Sequence, residues 1–262
     1  MIRNLFINKL MWYAATVLSL IISLATLLNI GIYSKVVTQE VMPGIVSQDL
    51  ITVIVSVFIL GLLIRIKESS YKSQMILFSY MIYLFYVYGI YVIERFYNIF
   101  YFAYMLIFTL SFYSIIYSFV SIDNEATRGL KVSNLIRRIS ALFLLIIPIM
   151  FYSLWISKLI PLICDGTKIE FFYSVFILDL CFIMPFFLII SIMSFWNKSL
   201  GTILTPCGLV FGSVLLLSVG IGEIFKPYFH ATLDFGGICF YLGLAVVFGV
   251  LSLVNFVNLE QK

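Results

Sequence analysis

The chain has 262 residues, of which 63% are hydrophobic and only 11% charged, with a formal net charge of +4. Soluble domains are about 45–50% apolar and about 25% charged, so a water-soluble fold of this length would expose far too much apolar surface and is excluded. The lysines and arginines are scattered between hydrophobic stretches, which argues against a nucleic-acid partner and makes the lipid bilayer the expected solvent.

Taken in chain order, stretches of about 17–25 apolar residues, long enough to cross a bilayer, fall at 11–33, 50–66, 75–94, 99–121, 139–160, 170–194, 203–222 and 235–257. The first follows Arg3 and Lys9 and imitates a secretory signal at its start. Its apolar run exceeds the roughly 7–15 residues of a signal core, and Ser23 and Ala25 lie within it, so it reads as an uncleaved anchor helix. The break at 34–50 carries Pro43 and Gly44. The break at 94–98 is so tight that the spans on either side must form an antiparallel hairpin. The expected fold is a single all-α domain, a polytopic transmembrane bundle of eight helices, or seven if the break at 94–98 is not real.

Positive loops stay in the cytoplasm. With the amino terminus inside, eleven lysines and arginines fall on the cytoplasmic side (Arg3, Lys9, Arg65, Lys67, Lys72, Arg128, Lys131, Arg137, Arg138, Lys198, Lys262) and five outside (Lys35, Arg95, Lys158, Lys168, Lys226). Both termini are therefore expected in the cytoplasm, in a multi-pass protein of the cell membrane. The largest cytoplasmic loop, 122–138, is too short for a catalytic domain, so no enzymatic module is expected. No phosphate loop, CxxC pair or histidine cluster signals a cofactor or metal, and none is expected.

Asp179 stands in the middle of 171–187, a run of Phe, Leu, Ile and Val, and reads as the one acid placed inside a span. Insertion scales put a central aspartate at roughly 2.5–3.5 kcal/mol unfavourable, so it needs a partner, a proton or water. Its helical neighbours Val175, Phe176, Phe182 and Ile183 cannot share its charge, so a partner must come from another helix, with Lys158 the nearest candidate by depth. Pro185 loosens the same helix. Asp179 reads either as a ligand, ion or proton site or as a buried hydrogen bond locking two helices.

A second group gathers at the outer helix ends: Glu94, Arg95, Lys158, Asp165, Glu223, Lys226, His230 and Asp234. Glu94 closes a stripe with Tyr80, Tyr83 and Tyr91 on one helix, and Tyr97, Tyr101, Tyr104, Phe108 and Ser111 share a face of the next. Such stripes suit an outward cleft for a small amphipathic or cationic ligand, or else ordinary aromatic packing near the interface. His230 and Asp234 would lie one turn apart if their loop were helical, fit to sense pH or help bind a metal, or else His230 is a solvated loop residue. Gly208 and Gly212 form a GxxxG, followed by Gly220 and Gly222 and then by Gly236, Gly237, Gly243 and Gly249. Small residues let helices approach, so the last two helices are expected to pack tightly together or across a homo-oligomer interface.

The two aromatic helices, the loop 124–138 and the terminal segment 254–262 together resemble the membrane-embedded input regions of bacterial signalling proteins, such as membrane-bound helix-turn-helix regulators. No output domain lies within the chain, so the resemblance implies a separate cytoplasmic signalling partner. Two functional readings follow. One is a sensor or receptor-like module that binds a small molecule in an outward aromatic and charged pocket. The other is a proton- or cation-coupled transporter component using Asp179.

Overall fold

A computed structural model describes residues 2, 5–123, 127–169 and 173–261. Among these, eight helices are long and apolar enough to cross a membrane: α1 (Leu5–Leu28), α2 (Met42–Arg65), α3 (Tyr71–Ile93), α4 (Tyr101–Val120), α5 (Asn134–Asp165), α6 (Tyr173–Phe195), α7 (Ser199–Phe225) and α8 (Phe235–Val257). The chain is an all-α, multi-pass membrane protein. The first residues of the expected sixth span, 170–172, lie outside the described residues, as do Arg3, Lys262 and residues 124–126 of the loop.

The break at 94–98 is real: Arg95 takes a left-handed backbone conformation (φ 58°) and turns α3 back into α4. The break expected at 34–50 is shorter than expected. Pro43 stands in the first turn of α2, where its missing N–H costs nothing, and the helix runs from Met42 through Ser47, Gln48 and Asp49. Asp179 is therefore not the one acid inside a span. Polar residues that look like loop in the sequence are buried inside a helix. At the far end of α5 the helix continues through Pro161 to Asp165, and Gly166 ends it in the left-handed conformation (φ 62°) that glycine adopts without strain.

Within their most apolar stretches α3 is 83% buried and α7 67%, against 17% for α8. The bundle is thus built around α3 and α7, which touch along the seam between two groups. On one side, α1 packs between α2 and α4. On the other, α5 packs on α6, and α8 lies along α7. The closest approach is made by glycines: a Cβ on Gly212 would stand 2.4 Å from the Phe248 ring, and one on Gly220 would stand 2.5 Å from Leu242. Gly212 and Gly220 of α7 therefore serve contact with α8 within the same chain, whereas Gly208 faces Ile190 and Phe187 of α6 and Gly222 faces α2.

The two ends of the bundle differ. At the end holding both ends of the described chain, Ile2 bridges to Ile122, and the short strands β1 (Leu130–Lys131) and β2 (Glu260–Gln261) pair antiparallel. The segment after α8 thus folds back onto the loop before α5, with Leu130 and Leu259 buried. Lys72 donates to the Phe256 carbonyl at 2.6 Å, and the buried Arg137 guanidinium donates to the Ser194 and Phe195 carbonyls. Cations on the last carbonyls of α8 and α6 satisfy acceptors that have no helical partner and oppose the helix dipole. The opposite end, where α3, α5 and α7 finish, is the Glu94 end.

Candidate functional site

A cavity of about 430 Å³ opens at the Glu94 end and reaches down between α2, α3, α5, α6, α7 and α8. Its mouth lies at Glu40, Glu223 and Lys226, and Glu40 is exposed. Its walls are largely apolar and aromatic, with Tyr86, Phe96, Phe151 and Trp155 among them. Below, Phe187 packs against Phe211 and Phe248 with ring centroids 6.1 and 6.0 Å apart, all three buried. The cavity thus ends on a layer of rings, and beneath that layer Ser191 donates to the Ala141 carbonyl at 2.7 Å.

Asp179 lies on the cavity wall, 5% exposed. Its partner is Trp155 of α5, whose indole N–H donates to Asp179 Oδ2 at 2.7 Å, with the Tyr86 hydroxyl also facing the carboxyl. Lys158, expected to reach Asp179, is exposed instead and sits with its ammonium 4.9 Å above the Trp155 ring. An indole donor fits because it brings a hydrogen without a second desolvated charge. Asp179 also begins a π turn, Asp179–Ile183, inside α6. Pro185 has no N–H to give the carbonyl four residues back and its ring crowds that carbonyl, so the backbone loosens here. Tyr152 of α5 donates to the Leu180 carbonyl at 3.1 Å and holds the widened turn.

Glu94, at the end of α3, is 6% exposed and lines the same cavity. Its Oε1 accepts from the Ser174 amide at 2.9 Å and from the Ser174 hydroxyl, which ties α3 to the start of α6. Its Oε2 is buried without a hydrogen-bond partner among the described residues. At the mouth Glu223 pairs with Lys226 at 2.5 Å, three residues on.

The remaining expected residues scatter. Tyr80, Tyr83 and Tyr91 do not line the cleft; the cavity face of α3 is Tyr86, Ile90 and Glu94, spaced four apart. Tyr101 is half-buried and donates to the Val92 carbonyl at 3.1 Å, closing the hairpin. Arg95 is exposed on the turn. Asp234 caps α8 by accepting from the Gly237 amide at 3.0 Å. His230 ends a 3₁₀ turn in a left-handed conformation (φ 60°) and is exposed, so it is not held one helical turn from Asp234.

Sequence reading missed Asp49. It is 1% exposed, and four hydroxyls converge on it: Ser23 at 3.0 Å and Tyr91 at 3.3 Å on Oδ1, Thr26 at 2.7 Å and Tyr33 at 2.8 Å on Oδ2. Tyr33 was expected at the end of the first span, but α1 stops at Leu28 and Tyr33 lies beyond it; burial, with Tyr91 and Asp49 beside it, pushes its phenol well above the ordinary range, so it stays protonated and able to donate. The file continues along α1. Ser23 meets Tyr88 at 3.4 Å, and deeper in the bundle Ser19 meets Tyr80 at 3.2 Å while Tyr80 also meets Ser56. The signal was present: Thr16, Ser19, Ser23 and Thr26 recur at three- and four-residue spacing within an apolar helix, which marks a polar face that must be satisfied inside the protein.

The site defines a class, a helical membrane protein with an acid-lined aromatic cavity open at one end. A comparison with protein-family models, curated proteins and solved structures finds no match to this chain.

Proposed function

We propose that this protein is a sensor or receptor-like module of the cytoplasmic membrane. It binds a small ligand from the outer side in the cavity at the Glu94 end and signals through the last helices to a cytoplasmic partner. The observation that carries the reading is the asymmetry of the bundle. One end holds a deep cavity with Asp179 and Glu94 on its walls, floored in mid-bundle by the rings of Phe187, Phe211 and Phe248, while the other end is laced by Arg137, Lys72 and the β1–β2 pair. A receptor needs a pocket open to one compartment and a rigid face toward the other.

The coupling element is α7. It lines the cavity with Leu215 and Val219, meets α8 through Gly212 and Gly220, and meets α2 where a Cβ on Gly222 would stand 3.2 Å from Gly44. A ligand wedged against α7 shifts contacts that have no slack, because packed helices move between discrete arrangements rather than deforming continuously.

The second reading, a coupled transporter, is favoured by the π turn at Asp179, since backbone breaks beside buried acids recur in transport sites. Thiol accessibility separates the two. In a background without native cysteines, Leu215→Cys is treated with membrane-impermeant reagent from each side. Labelling from the Glu94 side alone, with and without an imposed ion gradient, is the expected result. Labelling from the opposite side under any gradient would replace the receptor with the transporter.

A further inference from the structure

The charges and walls of the cavity specify its ligand. Among the described residues four carboxylates line it, Glu40, Glu94, Asp179 and Glu223, against one lysine, Lys226, which is engaged by Glu223 at 2.5 Å. Two of the acids matter most because they stand below the mouth. Glu94 is only 6% exposed, and its Oε2 has no hydrogen-bond partner among the described residues while its Oε1 is held by Ser174. A buried carboxylate with no cation beside it is costly, and a ligand that brings positive charge into the cavity offsets that cost. Asp179 accepts from the Trp155 indole, and no lysine or arginine reaches it among the described residues. Glu94 is fastened to Ser174, five residues before Asp179 on α6, which separates the two acids by about 7.5 Å of helical rise.

The walls between them are aromatic. Tyr86, Phe96, Phe151 and Trp155 present ring surface to the same space. Ring faces attract cations and apolar groups alike and attract anions poorly, and the attraction strengthens where water is excluded. An anion would meet unscreened like charge. A neutral amphiphile would fill the volume but leave Glu94 and Asp179 without a countercharge among the described residues.

We propose that the cavity binds an amphipathic organic cation, an amine or ammonium compound whose charged nitrogen lies between Glu94 and Asp179, in the field of both, and whose apolar body lies against the rings. The assignment rests on the cavity being the ligand site of the proposed receptor. It adds the sign of the ligand's charge and the two groups that answer it.

The test uses three probes with one body: 4-phenylbutylamine, 4-phenylbutanol and 4-phenylbutyrate. Binding to the purified full chain in nanodiscs is read by calorimetry and by thermal stabilisation. The amine is expected to bind at least tenfold more tightly than the alcohol or the acid. Glu94→Gln and Asp179→Asn should each weaken the amine about tenfold and leave the alcohol unchanged. Leu215→Trp, which fills the cavity, should remove all binding. Equal binding of the alcohol, or tighter binding of the acid, overturns the cation assignment and leaves the cavity as a ligand site. Failure of all three probes overturns both. Should a charge variant fail to fold, the ranking of the probes on the unmodified chain still decides.

Discussion

Gln48 and Asp49, adjacent on α2, face different surroundings: Gln48 lines the cavity, and Asp49 is buried under the hydroxyls of Ser23, Thr26, Tyr33 and Tyr91. The hydroxyl cage therefore fixes the helix whose other face is a wall of the site. Tyr83 strengthens the coupling by donating to the Gln48 carbonyl at 3.2 Å and meeting the Thr52 hydroxyl at 3.1 Å.

Replacing the caged acid should loosen that wall. In Asp49→Leu, Thr26 can turn its hydroxyl to the Ile22 carbonyl, 3.0 Å away, whereas Tyr33 and Tyr91 lose their acceptor. Two buried hydroxyls left unpaired cost about 2–4 kcal/mol. Thermal unfolding in detergent should register the loss, and an unchanged midpoint would mean that the cage contributes no stability.

The glycines of the last two helices allow a comparison with its own control. Gly212→Val places a side chain inside the Phe248 ring, whereas a Cβ added at Gly243 meets no atom within 4 Å. Overpacking costs about 1–3 kcal/mol, so Gly212→Val should unfold at lower temperature and Gly243→Ala should not. Equal stability of the two variants would refute the α7–α8 packing described above.

Arg137 offers a third test, at the end away from the cavity. Arg137→Met keeps the apolar stem but strips its donors from the Ser194 and Phe195 carbonyls and from Asn134 Oδ1, which it meets at 3.0 Å. Loss of charge-assisted bonds to a helix end costs about 1.5–3 kcal/mol. Hydrogen exchange should rise over residues 194–198, and exchange that stays flat there would show that the α6–α7 turn holds without the guanidinium.

The sidedness of the cavity is open to direct measurement. The excess of lysine and arginine at the end carrying Lys67 and Arg128 predicts that this end is cytoplasmic. With native cysteines removed, Lys168→Cys should react with an impermeant thiol reagent added outside intact cells. Lys67→Cys and Arg128→Cys should react only after permeabilisation. The opposite pattern would turn the cavity toward the cytoplasm.

The eight-helix all-α fold could be read from the chain because lipid imposes it: backbone groups in hydrocarbon must be paired within the segment, so apolar length alone reports a helix. Asp179 was legible for the same reason, as a charge in a run of 171–187 with nothing local to balance it. Its partner was not. Trp155 lies 24 residues away on another helix, and a tryptophan in an apolar run looks like lipid contact until the packing aims its N–H. Glu94 and Glu223 were legible as charges at helix ends, but that Glu223 is paired with Lys226 while Glu94 has no cation beside it among the described residues depends on where Ser174 and Lys226 come to rest. Asp49 was hidden because polarity near Pro43 resembles a loop, and only tertiary contacts make burial there tolerable. Hydrophobic length therefore determined the helices, which obey a one-dimensional rule. The cavity, the hydroxyl cage and the different surroundings of Gln48 and Asp49 were decided by the tertiary structure, since each joins groups from helices far apart in the chain.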